Sequence, residues 1–314
     1  MILVLSSWED EHFVAVNREL TARSQKPVLI DLARFPIELH LTIGYDDDGF
    51  SASFSGAGEV IDLTSCKVAW WRRPEQFEFP EDITDPAGLR FAYGECYHAV
   101  SGLWSALGAH WVNPPSADDE ASHKPYQLVV ASDVGFLRPR TLITSDPDAA
   151  RSFLTDLGDG RSIYKAFTGT EESWRETRSV RADEWHMLDS VRFAPVIFQE
   201  FVPAVLDIRV TVVGDDVFAS SIDSSGGDYE FDYRAELGSA TIQAHKLPQD
   251  VIEHCLSLTR RLGLVYGAID LRLTPDGEYV FLEINPSGQW LFMEERTGQP
   301  ITSAFCDLLV GLDQ

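Results

Sequence analysis

The chain has 314 residues, 44% apolar and 24% charged, a composition that excludes a disordered protein and allows two or three packed units. Lys and Arg total 25 and Asp and Glu total 50, so the net charge of −25 argues against nucleic acid and anionic membranes as partners. The sequence has no apolar run of about 18 residues, no basic N-terminal segment and no CxxC pair, so we expect a reduced, cytoplasmic protein.

The first third of the chain predicts a β-α-β unit. Apolar runs at 2–5 and 28–32 flank a helical pattern, which is typical of a parallel sheet with a crossover helix. Asn113 begins an Asn-Pro-Pro-Ser stretch, the clearest linker signal in the chain. Between these lie three further predicted elements: an antiparallel ribbon over 39–63, a strand over 68–71 and a helix over 88–107.

The remainder predicts a small mixed lobe followed by a mostly antiparallel one. Its predicted elements are, in chain order, a helix over 124–132, a strand ending at Thr144, a helix capped by Asp146, strands over 162–167 and 196–201, then strands and hairpins after Asp207 with one helix near 249–262. We therefore divide the chain into an N-terminal domain (1–113), a central lobe (114–195) and a C-terminal lobe (196–314).

The strongest chemical signal lies within residues 267–286. Thr274-Pro275-Asp276-Gly277 predicts a turn. If Leu273 then faces Glu278, Asp270 opposes Phe281 and lies diagonal to Glu283. Asp270, Glu283 and Asn285 share one face in that register, and two carboxylates with an amide oxygen suit Mg²⁺ held together with phosphates. The alternative is an ordinary exposed polar face on a half-buried hairpin.

This hairpin resembles the metal-binding end of the ATP-grasp superfamily, and further matching segments precede it in order. They are Lys124, Lys165 within Ile163–Thr170, Gln199–Pro203, the Asp207-Ile208-Arg209 strand and Asp232-Tyr233-Arg234. The last two resemble the ribosomal-protein-modifying glutamate ligases. Within the superfamily, the chain is most similar to the graspetide ligases, the microviridin-type peptide maturases, through Asp31–Pro36, Val68–Pro74 and Asn285–Trp290.

The resemblance implies an α/β ATP-grasp fold with an N-terminal β-α-β domain, a small central α+β lobe and a C-terminal antiparallel α+β lobe. ATP and two Mg²⁺ ions would lie between the last two lobes. The implied enzyme is an ATP-dependent ligase that binds a ribosomal precursor peptide through its leader and phosphorylates Asp or Glu side chains in the core of that peptide. A Thr, Ser or Lys side chain of that peptide then forms a macrolactone or macrolactam. A homodimer is also implied.

The resemblance assigns nucleotide binding to a set of residues spread over the last two lobes: Lys124, Lys165, Gly169, Glu200, Phe201, Val202 and Asp207. The two lysines would contact phosphates as point charges, and Gly169 would belong to a loop over them or to a plain hairpin turn. Glu200 and Val202 would meet adenine through backbone groups. Asp207 would sit near the ribose, orient Arg209, or form a surface salt bridge.

The remaining roles concern the reacting groups. Arg209 and Arg234 would grip the substrate carboxylate and then the acyl phosphate, because a planar guanidinium binds such oxyanions at two points. Asp232 would orient Arg234. The metal ligands would be Asp270, Glu283 and Asn285. In the N-terminal domain, Arg72 and Arg73 would either hold acidic peptide or pair with carboxylates between lobes.

Two other functions stay open at this stage. One is an ATP-grasp ligase that adds amino acids to a protein tail or joins small molecules. The other is a non-catalytic nucleotide-binding module, which the full set of metal and phosphate residues argues against. The sequence shows no general base for the attacking hydroxyl and does not separate an ester from an amide product.

Overall fold

The computed structural model describes residues 1–47, 49–167, 178–223 and 240–313. The first sheet is parallel, with the order β2-β1-β6-β7, where β1 is Ile2–Leu5, β2 Val28–Ile30, β6 Val68–Trp71 and β7 His110–Val112. Helix α1 (Glu11–Ala22) makes the crossover, and the Asp10 side chain accepts a hydrogen bond from its first turn. All of β1 is buried, as expected for a parallel strand covered on both faces. The predicted β-α-β unit is confirmed.

The predicted ribbon follows β2 and is a three-stranded antiparallel sheet, comprising β3 (His40–Asp46), β4 (Gly49–Gly56) and β5 (Glu59–Asp62). Helix α2 (Pro86–Ala106) begins at an Asp85 cap with proline in its first turn. It buries Val100, Leu103 and Trp104 in a core shared with the ribbon and the parallel sheet. Most of the remaining α2 surface is exposed.

The central sheet has the order β10-β9-β11-β8, comprising β8 (Thr141–Thr144), β9 (Ser162–Lys165), β10 (Arg178–Ser179) and β11 (Val196–Glu200). Helix α5 (Pro147–Leu157) covers it, and Asp146 caps that helix as predicted. Helices α3 (Pro115–Ser122) and α4 (Lys124–Asp133) precede the sheet. The sequence did not indicate α3 because this polar segment buries only Ala121 and lacks an apolar stripe.

The C-terminal sheet has the order β14-β13-β12-β15-β16, comprising β12 (Leu206–Val213), β13 (Asp216–Asp223), β14 (Thr241–Ala244), β15 (Tyr266–Leu273) and β16 (Tyr279–Asn285). The predicted helix is present as α6 (Gln249–Arg261) and packs Cys255 and Leu258 on one face of the sheet. Helices α7 (Leu291–Thr297) and α8 (Ile301–Asp313) were not predicted.

Helix α8 joins the two ends of the chain. It packs against α1 and β12, and Phe305 shares one core cluster with Val4 of β1 and Tyr266 of β15. The N-terminal ammonium also pairs with Asp313 at 3.0 Å. In the described ranges, no helix is long and apolar enough to cross a membrane. The parallel sheet and the last sheet are therefore held against each other by a common apolar layer, which positions the loops described next.

Candidate active site

The β15–β16 hairpin places the three predicted metal ligands at one end of the last sheet. The predicted register was wrong by one residue: Leu273 pairs with Tyr279, because the turn closes between Thr274 and Glu278. A β-bulge after Asp270 absorbs Leu282 and restores the alternation. Asp270 therefore lies directly opposite Glu283 rather than diagonal to it. The two carboxylates are brought closer than the sequence indicated.

Each predicted metal ligand already has a hydrogen-bond donor. Arg209 Nη1 donates to Asp270 Oδ1 at 2.8 Å, and both side chains are buried. Lys124 Nζ donates to Glu283 Oε2 at 2.5 Å. The backbone N–H of Ser287 donates to Asn285 Oδ1 at 2.9 Å. These contacts orient the three groups, and each retains oxygen lone pairs for a cation.

The donor chemistry fits magnesium. Mg²⁺ binds through one or two carboxylates and completes its shell with waters and substrate phosphates. Among the residues that the structure describes, no group of three His, Cys, Asp or Glu residues could hold a metal ion. The predicted set has two carboxylates and one amide, so Asp270, Glu283 and Asn285 would hold Mg²⁺ only together with ligands from a nucleotide.

A second cross-strand ion pair lies two residues along the same strands. Arg272 Nε donates to Asp207 at 3.0 Å, and both side chains are buried. Arg272 Nη1 also donates to the Val202 carbonyl at 2.8 Å, and its guanidinium lies over the Phe201 ring. Sequence reasoning placed no role on Arg272, although its alternation with Asp270 on β15 was the available signal. Arg272 joins Asp207 to the segment predicted to hold adenine.

The other predicted nucleotide residues lie on the central sheet. Lys165 is the last residue of β9 and pairs with Ile197 of β11. Glu200 ends β11, and its Oε2 accepts from the Arg140 N–H at 3.3 Å. The predicted Gly169, Asp232 and Arg234 lie outside the described residues. The roles assigned to all these residues stay predictions.

A polar clamp holds the backbone of residues 286–290, which follows the hairpin. Three of its donors belong to residues 1–113, and two lie on strands of the last sheet. They bind successive carbonyls: Asn113 Nδ2 to Pro286 O (2.9 Å), Arg72 Nη1 to Ser287 O (2.7 Å), Arg73 Nε to Ser287 O (3.0 Å), Tyr266 Oη to Gly288 O (2.7 Å) and Arg209 Nη2 to Gln289 O (3.2 Å). A Cβ atom on Gly288 would lie 2.3 Å from the Ala268 Cβ, so only glycine allows this approach.

Arg72 is the centre of this clamp. Its side chain is 1% exposed, and its Nε pairs with Asp10 at 3.1 Å. Its Nη2 has no hydrogen-bond partner among the described residues. Arg73 is exposed and has a φ of 44°, a left-handed conformation that is uncommon for arginine. The two arginines that were expected either to hold acidic peptide or to pair with carboxylates thus differ: Arg72 is buried beside the Asp10 carboxylate, and Arg73 is exposed.

Among the ionisable groups near the clamp, His12 and Asp118 have shifted pKa values. Burial, followed by the charge of Arg72, lowers the pKa of His12 to about 3. Its Nε2 accepts from the Trp290 N–H at 2.9 Å, which requires the neutral ring. Burial raises the pKa of Asp118 to about 6, and Asp118 Oδ2 accepts from Ser287 Oγ at 3.0 Å. Sequence reasoning missed both residues, since neither belongs to a motif.

Gln127 on α4 is a further residue that the sequence did not single out. Its Oε1 accepts from the Ile284 N–H at 3.2 Å, and its Nε2 donates to the Ile284 carbonyl at 2.8 Å. It therefore bonds both backbone polar groups of Ile284, the residue between Glu283 and Asn285. Because Gln127 lies three residues after Lys124, one turn of α4 holds the metal-binding strand at two points.

Comparisons with known proteins agree with this fold. Residues 1–119 match the MvdD pre-ATP grasp domain, and residues 128–309 match the RimK-like ATP-grasp domain. No curated protein sequence matches the chain significantly.

Among solved structures, the chain is similar to macrocyclase MdnB from Microcystis aeruginosa MRC (31% identity, 98% of each chain covered, TM-score 0.83). It is also similar to macrocyclase MdnC from the same organism, bound with precursor peptide MdnA (28% identity, 99% of each chain, TM-score 0.88). A third is a Chryseobacterium gregarium RiPP-associated ATP-grasp ligase in complex with ADP and a leader and core peptide (25% identity, 99% and 96% covered, TM-score 0.90). With its fold, its hairpin and more than half of its length matched, the chain belongs to the RimK-like ATP-grasp family.

Proposed function

We propose that this protein is an ATP-dependent ligase that closes side-chain rings in a ribosomal precursor peptide. The observation that carries the proposal is the pairing of Asp270 with Glu283 across the β-bulge, with Arg209 and Lys124 bonded to the two carboxylates. This cluster unites hard oxygen ligands with cations, as phosphoryl transfer requires. The solved relatives, which include two macrocyclases and a ligase with bound peptide, extend this to peptide substrates.

The reaction has two balanced steps. A carboxylate oxygen of a peptide Asp or Glu attacks the γ-phosphorus of ATP, and the bond to the β-γ bridging oxygen breaks, giving an acyl phosphate and ADP. A hydroxyl or amine of the same peptide then attacks the acyl carbon. Its C–O bond to phosphate breaks, phosphate leaves, and the nucleophile loses its proton. The product is an ester or amide link with the net loss of one water.

The residues of this chain position those groups. Arg209 and the buried Arg72 supply donors beside the hairpin, and both hold carbonyls of the backbone that follows it. Lys124 is placed to turn from Glu283 to a phosphate when a cation takes its place. Mg²⁺ held by Asp270, Glu283 and Asn285 would neutralise the phosphate charge. Arg272 would hold Asp207 and Val202 against the nucleoside.

We also propose that the protein is a homodimer, as the resemblance implies. Helix α2 exposes Leu89, Phe91 and Tyr93, and Phe91 is 70% exposed. Such an apolar surface favours contact with another protein surface. Light scattering should give twice the 35.1 kDa of one chain. A mass of one chain would contradict the dimer.

The test of the ligase proposal is the intact mass of candidate precursor peptides that are rich in Thr, Asp and Glu. After incubation with enzyme, ATP and Mg²⁺, we expect the loss of one water per link, and no loss with Glu283→Gln. A gain of one amino-acid residue in mass would instead indicate a tail-adding ligase. An unchanged peptide mass with an enzyme that binds ATP would overturn the proposal.

A further inference from the structure

A cavity of about 670 Å³ lies between α2 and α3 and has no role in the mechanism above. Its walls include five aromatic side chains, those of Trp71, Phe77, Tyr97, Trp104 and Trp111. Its volume falls in the range of about 300–1,000 Å³ that is usual for ligand sites. We call this cavity the aromatic groove.

The aromatic groove ends beside the active site. Asp118 of α3 lines the groove, and its Oδ2 accepts a hydrogen bond from Ser287 Oγ at 3.0 Å. The N–H of the same serine donates to Asn285 Oδ1 at 2.9 Å. Helix α3 also packs against β16, which carries Glu283. A chain lying in the groove would therefore lead to the turn that follows the metal-binding strand.

The charges at the two sides of that turn are opposite. The charged residues that line the aromatic groove are Asp118 and Asp119, and no cationic residue of the described chain lines it. Across Ser287 lie Arg72 and Arg73, which both donate to its carbonyl. A peptide carboxylate is repelled on the groove side and attracted on the arginine side, whereas a hydroxyl or ammonium finds acceptors on the groove side.

We propose that the aromatic groove receives the segment of the substrate peptide that carries the attacking hydroxyl or amine, with its apolar side chains against the aromatic walls. The segment that carries the phosphorylated carboxylate approaches from the arginine side. The two partners of each link thus enter from opposite sides of Ser287. This inference rests on the proposed function and adds a binding surface and a direction to it.

The first test fills the groove from α2. Ser101 lines the groove, whereas Gly102 is exposed and a Cβ there meets no atom within 4 Å. We expect Ser101→Trp to raise the KM for the precursor peptide by about 10- to 100-fold, which is the loss of roughly one buried apolar side chain. The KM for ATP should stay unchanged. Gly102→Trp adds the same ring one residue along the helix and should leave both constants within about twofold.

The outcomes separate this inference from the proposed function. If wild-type enzyme links the peptide and Ser101→Trp has the wild-type peptide KM, the groove proposal is overturned and the ligase stands. If wild-type enzyme links no peptide, the ligase proposal fails and the groove proposal falls with it. Asp119→Asn provides a second variant that adds no volume. It should raise the KM for the precursor peptide and leave the KM for ATP unchanged.

The second test identifies the occupant directly. A photo-crosslinking benzoylphenylalanine at Tyr97, which is 50% exposed in the groove wall, is irradiated with enzyme, the precursor peptide and a non-hydrolysable ATP analogue. We expect crosslinks to residues of the peptide's core segment, next to the Thr, Ser or Lys that forms the link. Crosslinks to the leader would make the groove a leader site, and crosslinks to a second enzyme copy would make it an interface. Either result overturns the proposal.

Discussion

At the scale of single residues, the site depends on a buried ion pair between Arg209 and Asp270. Both side chains are 8% exposed, so removal of one partner leaves an uncompensated charge and costs about 3–5 kcal/mol in comparable sites. Lysine keeps the charge but cannot bond Asp270 and the Gln289 carbonyl together. We expect Arg209→Lys to lower kcat/KM for peptide linkage by about 100-fold or more, which is about 2.7 kcal/mol.

The matched control for this variant is an Arg–Asp pair that lies on the surface. Arg260 pairs with Asp215 at 2.6 Å, but the two side chains are 61% and 87% exposed. Surface pairs contribute about 0–1 kcal/mol, so Arg260→Lys should leave kcat/KM and the unfolding midpoint nearly unchanged. Equal losses of kcat/KM in the two variants would show that replacing a guanidinium by an ammonium matters by itself, whether the ion pair is buried or exposed.

We predict that the free energy of unfolding depends on pH through the buried His12. Its pKa is about 3 in the folded chain against 6.5 for an exposed histidine, so the neutral ring is the folded form. Its contribution is fully present above about pH 6.5 and is lost as the pH falls toward 3, because the unfolded chain takes up the proton first. At about 1.4 kcal/mol per pKa unit, the loss reaches roughly 5 kcal/mol at most.

The measurement compares urea unfolding of wild type and His12→Gln between pH 7 and pH 4. Glutamine offers a neutral acceptor to the Trp290 N–H, so the variant should lose stability less steeply as the pH falls. The exposed His110 provides the control, and His110→Gln should follow the wild-type curve. Parallel curves for wild type and His12→Gln would contradict the buried neutral ring.

At the scale of elements, the bulge at Leu282 sets the register of the metal ligands. Inserting one alanine between Leu282 and Glu283 would turn Glu283 and Asn285 to the opposite face of β16, because Phe281 stays paired with Leu271 and side chains alternate along a strand. We expect the insertion to abolish Mg²⁺-dependent nucleotide binding in calorimetry. Leu282→Ala keeps the residue count and should retain that binding, with a loss of stability of about 1–3 kcal/mol. Binding by the insertion variant would show that the register of the metal ligands does not matter.

The same hairpin shows what the sequence can predict. The existence of the hairpin follows from its Thr-Pro-Asp-Gly turn. The common face of its two carboxylates follows from the alternation of side chains along a strand. The register does not, because the turn closes one residue later and the bulge compensates, and both depend on packing against α4 and β12. Helix α3 was missed for lack of an apolar stripe. Helix α8 packs against α1 at the other end of the chain, and α7 packs against β14 and α8, so neither helix is marked by a local pattern.

Side-chain partners show the same limit. Arg209 and Asp270 could each be proposed from motifs, and their positions on β12 and β15 bring them together. Arg72 contacts Asp10, 62 residues away, and Ser287, 215 residues away, and no local pattern reveals these contacts. Long-range placement of this kind depends on how the sheets pack.

At the scale of the whole molecule, Arg72 connects the N-terminal parallel sheet to the loop after the metal-binding strand. It links Asp10 of the first helix cap to the carbonyls of Ser287 and Gly288, while a shared apolar layer under α8 joins the same two sheets. Because the polar and apolar contacts span the same boundary, we expect these sheets to unfold in one cooperative transition.

Arg72→Met should therefore weaken both the fold and the site. The change removes a guanidinium that is 1% exposed, so the Asp10 carboxylate loses its buried cation and two carbonyls each lose one of their two donors, and we expect a loss of about 3–5 kcal/mol in the free energy of unfolding. Residues 286–290 would lose their fixed position, and the affinity for Mg²⁺-ATP should fall with the stability. Arg73→Met, at the adjacent exposed residue, should cost at most about 1 kcal/mol and leave nucleotide affinity unchanged. Chemical unfolding and calorimetry on the two variants measure both quantities, and a Mg²⁺-ATP affinity that survives in Arg72→Met would show that the clamp supports the fold alone.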